Sequence, residues 1–294
     1  MKPAAFDYHA PRTVEEALAL LWNYGEDGKI LAGGQSLVPT MNFRLTQPTA
    51  LIDLNGIEGL FFLREDDDEL RCGAMTRQRE VERSALVKRI VPLLHETMPH
   101  IAHAQIRNRG TIGGSLAHAD PTAELPALAI ALDASMYVRS FTEARWISAR
   151  DYYVGLFTTS MQPDEMLLEV AFPGLPAGSG WAFEEVARQK GNYAMCGAAA
   201  VVDLAEGGSV GNVTLVFLGV GEAPVEAEQA ASLLVGEKPT AAAIRAASDA
   251  AAKLDIDPVG DIHAGPAFRR HLAGVLAERV LTKACERAAG HERQ

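Results

Sequence analysis

The chain has 294 residues, 48% of them hydrophobic and 22% charged, with a formal net charge of -11 at pH 7. That length accommodates two or three domains and a substantial core. The acidic balance, with no long basic cluster against it, excludes nucleic acid and anionic membrane surfaces as expected partners.

The first eleven residues have no apolar stretch of signal-peptide length, and Asp7 interrupts them. No uncharged apolar run reaches the length of a membrane span. Cys72, Cys196 and Cys285 are far apart and form no Cys-x-x-Cys pair. They read as reduced, buried cysteines of a cytoplasmic protein, with no cluster or zinc-finger spacing in this chain.

In chain order, Thr13-Val14-Glu15-Glu16 predicts a capping box, with the Glu16 side chain returning to the Thr13 N–H. Val14, Ala17, Leu18, Leu21 and Trp22 then line one helical face up to Gly25. Strands are expected over 29–32 and 51–54, then a hairpin of 60–64 and 70–73 around a solvated acidic turn at 65–69. Helices are expected over 77–83, 92–98 and 122–132, and strands over 135–139 and 166–172. The Pro- and Gly-rich run 173–180 marks a domain boundary. Beyond it lie strands over 181–188, 196–204 and 210–220, then helices over 225–234, 240–254 and 266–288. Strands followed by helices predict α+β construction there.

Two glycine motifs carry the functional signal: Ala32-Gly33-Gly34-Gln35-Ser36 and Thr111-Ile112-Gly113-Gly114-Ser115. Glycine permits close backbone approach, and successive free amides form a nest for phosphate oxygens. Taken alone, the first pair reads more readily as a plain turn. Two loops of similar design point to both ends of one diphosphate, hence to a dinucleotide cofactor. Neither is a G-x-G-x-x-G fingerprint or a P-loop. His118-Ala119-Asp120 lacks a third ligand for a metal, and Asp120 before Pro121 equally initiates a turn. Glu124 is a candidate acceptor for ligand hydroxyls, while Tyr193 is an ordinary aromatic unless a flat ligand lies beside it.

With these motifs in place, the chain resembles the FAD-binding medium subunit of molybdenum hydroxylases, the family of carbon monoxide dehydrogenase medium chains and xanthine dehydrogenase flavin domains. The resemblance rests on Leu31 through Pro39, Ile106 through Ala117, Asp120-Pro121, Glu124-Leu125-Pro126 and Phe268-Arg269-Arg270-His271-Leu272. It implies an α+β fold: a vanillyl-alcohol-oxidase-like (PCMH-type) FAD-binding domain of two subdomains, 1–56 and 57–175, and a small α+β C-terminal domain over 180–290. It also implies cofactor contacts from Leu31, Ala32, Gly33, Gly34, Gln35, Ser36 and Leu37, and from Thr111, Ile112, Gly113, Gly114 and Ser115. Ala102, Asp120, Glu124, Leu167 and Tyr193 complete the implied set. Glu124 stands where the family often has Asp, Ser115 where Asn is common, and Asn192 where an Asp often precedes the tyrosine.

By the same resemblance, a large molybdopterin subunit oxidises the substrate, and a small subunit with two 2Fe–2S clusters relays electrons to the FAD, which passes them to an external acceptor. A heterotrimer is the implied assembly, and no acid, base or nucleophile is expected in this chain. The alternative is a free-standing FAD-dependent oxidoreductase on the same flavin fold.

Overall fold

A computed structural model describes residues 2–290. It is built around three principal sheets, taken in chain order. The first is formed by β1 (Asp7–His9), β2 (Gly28–Leu31) and β3 (Ala50–Asp53), with α1 (Val14–Tyr24) and α2 (Leu37–Asn42) as crossovers. β3 lies between β1 and β2, and both pairings are parallel, with Ile30 opposite Ile52. Parallel pairing requires crossovers, so the carboxyl ends of β2 and β3 open on the same edge.

Thr13 caps α1 by accepting the Glu16 N–H at 3.2 Å. The return bond differs from the expected box: the Glu16 carboxylate accepts from the Arg12 N–H at 2.7 Å, one residue before Thr13. Trp22 also departs from expectation, being 58% exposed. The buried stripe is Ala17, Leu18 and Leu21, and Trp22 lies at its edge.

The second sheet takes the order β4-β5-β10-β6-β7, all antiparallel. Its strands are β4 (Leu63–Asp66), β5 (Glu69–Gly73), β6 (Ser135–Arg139), β7 (Ala144–Ser148) and β10 (Met166–Pro173). The small hairpin of β8 (Tyr153–Gly155) and β9 (Thr158–Thr159) precedes β10. Between β5 and β6 run α3 (Gln78–Arg83), α4 (Ala85–Ile90), α5 (Pro92–Thr97), α6 (Ala104–Arg107), α7 (Ile112–His118) and α8 (Glu124–Ala131), and α9 (Ala149–Tyr152) follows β7. The acidic run forms the tight β4–β5 turn, with Asp67 and Asp68 at φ 48 and 63. Every residue of α8 is buried. A helix apolar all round needs cover on all sides, and the third sheet supplies part of it.

That third sheet is a meander of β11 (Gly180–Ala187), β12 (Ala194–Leu204), β13 (Val210–Leu218) and β14 (Val225–Glu226). α10 (Glu228–Leu234), α11 (Ala241–Ala250) and α12 (Pro266–Ala288) follow. Residues of alternate β12 and β13 positions go to two cores: Ala198, Ala200, Leu215 and Phe217 pack with Leu276 and Val280 of α12. Ala199, Val201, Val216 and Leu218 pack with the α8 side. The period of two thus places helices on both faces. The expected helix over 225–234 is shorter, because Val225 and Glu226 pair with β13 first.

Gly180 opens β11 against α12, and a Cβ there would lie 1.8 Å from the Ala284 carbonyl oxygen. Gly180→Ala must push the sheet off the helix, at an expected cost of at least about 2 kcal/mol. Urea unfolding checks this; an unchanged midpoint contradicts the packing described. Among the described residues, no helix is long and apolar enough to cross a membrane.

Candidate functional site

β2 delivers the first glycine motif at its carboxyl end, where ligands of parallel sheets bind. Gly34 sits at φ 72, in the left-handed region that glycine adopts without Cβ strain. A Cβ on Gly33 would lie 2.3 Å from the Arg109 carbonyl oxygen and 2.9 Å from Gly110 Cα. The first glycine motif therefore packs on the backbone that leads into the second. Gln35 folds back, its Nε2 donating to the Gly33 carbonyl at 3.0 Å. Among the described residues, the amides of Gly33, Gly34, Gln35 and Ser36 donate no hydrogen bond. Four successive unpaired amides at a glycine turn form a cradle for anionic oxygens.

A cavity of about 400 Å³ opens beside this cradle, lined by the loop together with Val38, Pro39, Asp53, Asn55, Ile106 and Arg109. Asn55 Nδ2 donates to the Ala32 carbonyl at 3.0 Å and Arg77 Nη1 to the Arg109 carbonyl at 2.7 Å, which ties the rim together. Arg77 and Arg109 bring two positive charges to the edge, and the half-buried Arg77 guanidinium is held below its usual range by desolvation and by Arg109. The Asp53 carboxylate acts on both guanidiniums, so the rim sets two cations against one anion and keeps net positive charge that suits a diphosphate. Asp53, Asn55 and Arg77 were not foreseen: they come from the end of β3 and the start of α3, and no local motif marks them.

The second motif is not a loop. Gly113, Gly114 and Ser115 lie inside α7, which Thr111 caps by accepting the Gly114 N–H at 3.0 Å. The amides of Ile112, Gly113 and Ser115 donate to Thr76, Ala74 and Thr111 carbonyls. The expected second nest is corrected accordingly: its glycines serve close packing. A Cβ on Gly113 would meet Ala74 Cβ at 2.5 Å, and one on Gly114 would meet Thr111 Oγ1 at 2.6 Å and Ala32 Cβ at 3.3 Å. What this motif leaves free, among the described residues, is the Thr111 amide, with the Ser115 hydroxyl one turn on.

Helix α7 leads, over about 10 Å at 1.5 Å per residue, toward a second group of candidates. Asp120 Oδ1 accepts from Thr122 N and Oγ1 at 2.8 and 2.7 Å, an Asx turn that starts the approach to α8. His118 packs its ring on Phe157 at 5.2 Å. Glu124 is only 8% exposed at the head of α8. Burial pushes its carboxyl up to about 8, with Glu185 and Asp120 acting in the same direction. It is thus largely a neutral acid at pH 7, a donor as well as an acceptor, where the residue type alone suggested only an acceptor.

Because the folded value lies above the ordinary 4.5, Glu124 contributes stability that is complete below about pH 4.5 and is lost as pH rises through about 8. Glu124→Gln is expected to raise the unfolding midpoint at alkaline pH and to flatten its decline between about pH 4.5 and about pH 8. A variant that tracks the parent across that range contradicts the assignment.

Ala102 adopts φ 44 in a turn held by Arg107, whose Nη1 donates to the Ile101 and Ala102 carbonyls at 2.7 and 3.0 Å. Arg107 also pairs with both Glu82 oxygens. Arg107 and Arg109 therefore part, Arg107 turned inward as a strut and Arg109 at the cavity. The loop before β12 packs on that same turn. Gly191, at φ 83, leaves no room for a Cβ, which would lie 2.6 Å from the His103 ring and 2.9 Å from the Ala102 carbonyl. This brings Ala102 beside Asn192 and Tyr193. Tyr193 is 70% exposed; partial desolvation, then Asp120 and Glu124, raise its phenol. Leu167 is buried in β10, next to Leu168, whose carbonyl accepts from Ala74, the residue beneath Gly113. Leu31 and Leu37 flank the first cradle.

The arrangement joins an anion cradle with two cations to a more distant patch of hydrogen-bonding groups and an exposed aromatic. An elongated ligand with a diphosphate at one part and a flat ring at another fits both.

Residues 4–175 match the FAD binding domain in molybdopterin dehydrogenase, and residues 181–284 match the CO dehydrogenase flavoprotein C-terminal domain. The chain is 42% identical to the 6-hydroxypseudooxynicotine dehydrogenase complex subunit alpha of Paenarthrobacter nicotinovorans, covering 98% of this chain and 97% of that one. It is 37% identical to the carbon monoxide dehydrogenase medium chain of Hydrogenophaga pseudoflava, over 98% and 100% of the two chains. Among solved structures it is similar to carbon monoxide dehydrogenase of Hydrogenophaga pseudoflava, with TM-score 0.95, 38% identity and coverage of 98% and 99%. Quinoline 2-oxidoreductase from Pseudomonas putida 86 matches with TM-score 0.93, 37% identity and coverage of 98% and 99%.

Proposed function

This chain belongs to the FAD-binding medium-subunit family of molybdenum hydroxylases, and from that premise we propose that it is the electron-transfer subunit of such a complex. It is an FAD-binding oxidoreductase subunit. In the proposed assembly, a partner molybdopterin subunit oxidises the substrate and a small subunit carries the 2Fe–2S clusters. Electrons arrive from those clusters at this chain and leave to an external acceptor. The three cysteines here support placing the clusters elsewhere, since they are buried and burial raises every one of their thiols. We place the complex in the cytoplasm, where such thiols stay reduced.

Bound FAD supplies the redox chemistry itself. The protein's part is to hold and orient it. The amides of Gly33 through Ser36 and the Thr111 amide would hold the diphosphate, with Arg77 and Arg109 balancing its charge. Ala102, Asp120, Glu124 and Tyr193 would meet the flavin half, with Leu167 beneath the helix that connects the two. We take 1–56, 57–175 and 180–290 as the folding units, with the cofactor between the first two.

The observation that carries this reading is the unpaired amide cradle packed on the Arg109-Gly110 backbone that leads into the second glycine motif. Its test is co-expression with candidate partner subunits from the same operon, followed by purification through a tag on this chain. The expected result is co-purification of an iron–sulfur chain and a molybdopterin chain, with one FAD released per copy on denaturation. Steady substrate turnover by the isolated chain would instead establish a free-standing oxidoreductase.

A further inference from the structure

Asn55 lies just past β3, where its side-chain amide meets both the first glycine motif and the residue that opens α3. Its Nδ2 donates to the Ala32 carbonyl at 3.0 Å and to Asp53 Oδ1, and its Oδ1 accepts from Arg77 Nη2 at 2.5 Å. Asp53 holds that amide in place. Its Oδ1 also accepts the Asn55 backbone N–H at 2.9 Å, and its Oδ2 accepts from the Tyr8 hydroxyl. Partner chemistry fixes the orientation: a reversed amide would set its donors against a guanidinium and its oxygen against a carbonyl and a carboxylate.

From Asn55 the bonds run on to the second glycine motif. Arg77 Nη1 donates to the Arg109 carbonyl at 2.7 Å, and the Arg77 backbone bridges antiparallel to Thr111, which caps α7. The Arg109 carbonyl oxygen is also the atom on which Gly33 packs, 2.3 Å from where a Cβ would stand. The path therefore closes on itself: Ala32 to Asn55, Asn55 to Arg77, Arg77 to Arg109, and Arg109 back to Gly33. Among the described residues, the hydrogen bonds made by residues 33–36 are local, from Gln35 to the Gly33 carbonyl, Val38 to Gly34 and Thr40 to Ser36. Those bonds shape the loop; the Asn55 bond to Ala32 sets where it stands against the 109–110 backbone.

Closing the path takes a side chain that donates at one end and accepts at the other. Ionised aspartate accepts from Arg77 but has no proton for Ala32, and leucine of similar shape does neither. The fold has separate support, because Ile52 and Leu54 share a core with Met75 and Met166. We propose that Asn55 is the positioning residue of the cofactor site: acting through Ala32 and Arg77, it holds the amide cradle against the second glycine motif before FAD arrives, so that binding does not have to order the loop. This deepens the cofactor-site reading and rests on it.

The test is FAD affinity of the apoprotein by flavin fluorescence, with far-UV circular dichroism confirming the fold of each variant. Asn55→Leu is expected to raise the Kd about tenfold, the worth of one to two net hydrogen bonds. Asn55→Asp keeps the acceptor for Arg77 and loses the donor to Ala32, so a similar loss is expected; it carries the test if the leucine variant does not fold. A double variant separates positioning from general damage. With Arg77→Met in place the path is already broken, so adding Asn55→Leu is expected to change the Kd by less than about twofold. A further tenfold loss overturns the inference, as does parental affinity in either Asn55 variant. Gly33→Ala distinguishes this from failure of the site reading. If that variant binds FAD as the parent does, the site reading falls and the inference with it. If it is weakened while the Asn55 variants are not, the inference alone falls.

Discussion

Gly33→Ala is expected to weaken FAD binding by about a hundredfold, equivalent to about 3 kcal/mol, while leaving the rest of the fold intact. The reason is one added methyl. At 2.3 Å from the Arg109 carbonyl oxygen and 2.9 Å from Gly110 Cα, that methyl meets backbone on both counts, so no rotamer change relieves it. The loop must lift off the 109–110 turn, and the four amides then cease to converge on one anion. Because β2 and β3 are anchored by their own ladder, the first sheet is expected to survive the displacement. Absorbance of bound flavin and the Kd of the reconstituted chain measure the effect, with thermal unfolding of the apoprotein as control. Parental affinity with parental stability would show that the two motifs need not touch.

Arg269→Met is expected to destabilise the chain by about 2–4 kcal/mol, the cost of leaving two carbonyls without their charged donor. Arg269 is 4% exposed in the first turns of α12. Its Nη1 donates to the Met195 and Gly219 carbonyls, each at 2.6 Å, and its Nη2 to Asp261 Oδ2 at 2.6 Å. Methionine fills much of the volume and leaves two strand-end carbonyls and a carboxylate without their donor. Lysine keeps charge but lacks the fork, so Arg269→Lys is expected to recover only part of the loss. The damage reaches the site, since Gly219 N donates to the Pro121 carbonyl at 2.8 Å and Met195 lies two residues after Tyr193. Urea unfolding and amide exchange around 194–196 and 219 measure it; protection equal to the parent would contradict this role.

The parts of this molecule that local chemistry decides were legible in the amino-acid order. Thr13 caps its helix where expected, the acidic run makes its turn, and strands give way to helices after Gly180. The first glycine motif, at the carboxyl end of a parallel strand, was legible for the same reason. What escaped is decided by packing. Gly113 and Gly114 look like a turn because glycine is a poor helix former, yet α7 needs both to lie against Ala74 and Ala32. Trp22 sits one helical step outside its stripe. Arg107 and Arg109, two positions apart, have opposite fates, one buried on Glu82 and one at the cavity.

The most direct test of the central claim is a crystal structure of the chain with FAD, read at the diphosphate. The account predicts its oxygens within hydrogen-bond distance of the Gly33, Gly34, Gln35 and Ser36 amides, with Thr111 on the opposite side. A diphosphate bound elsewhere, with those amides facing water, would contradict it.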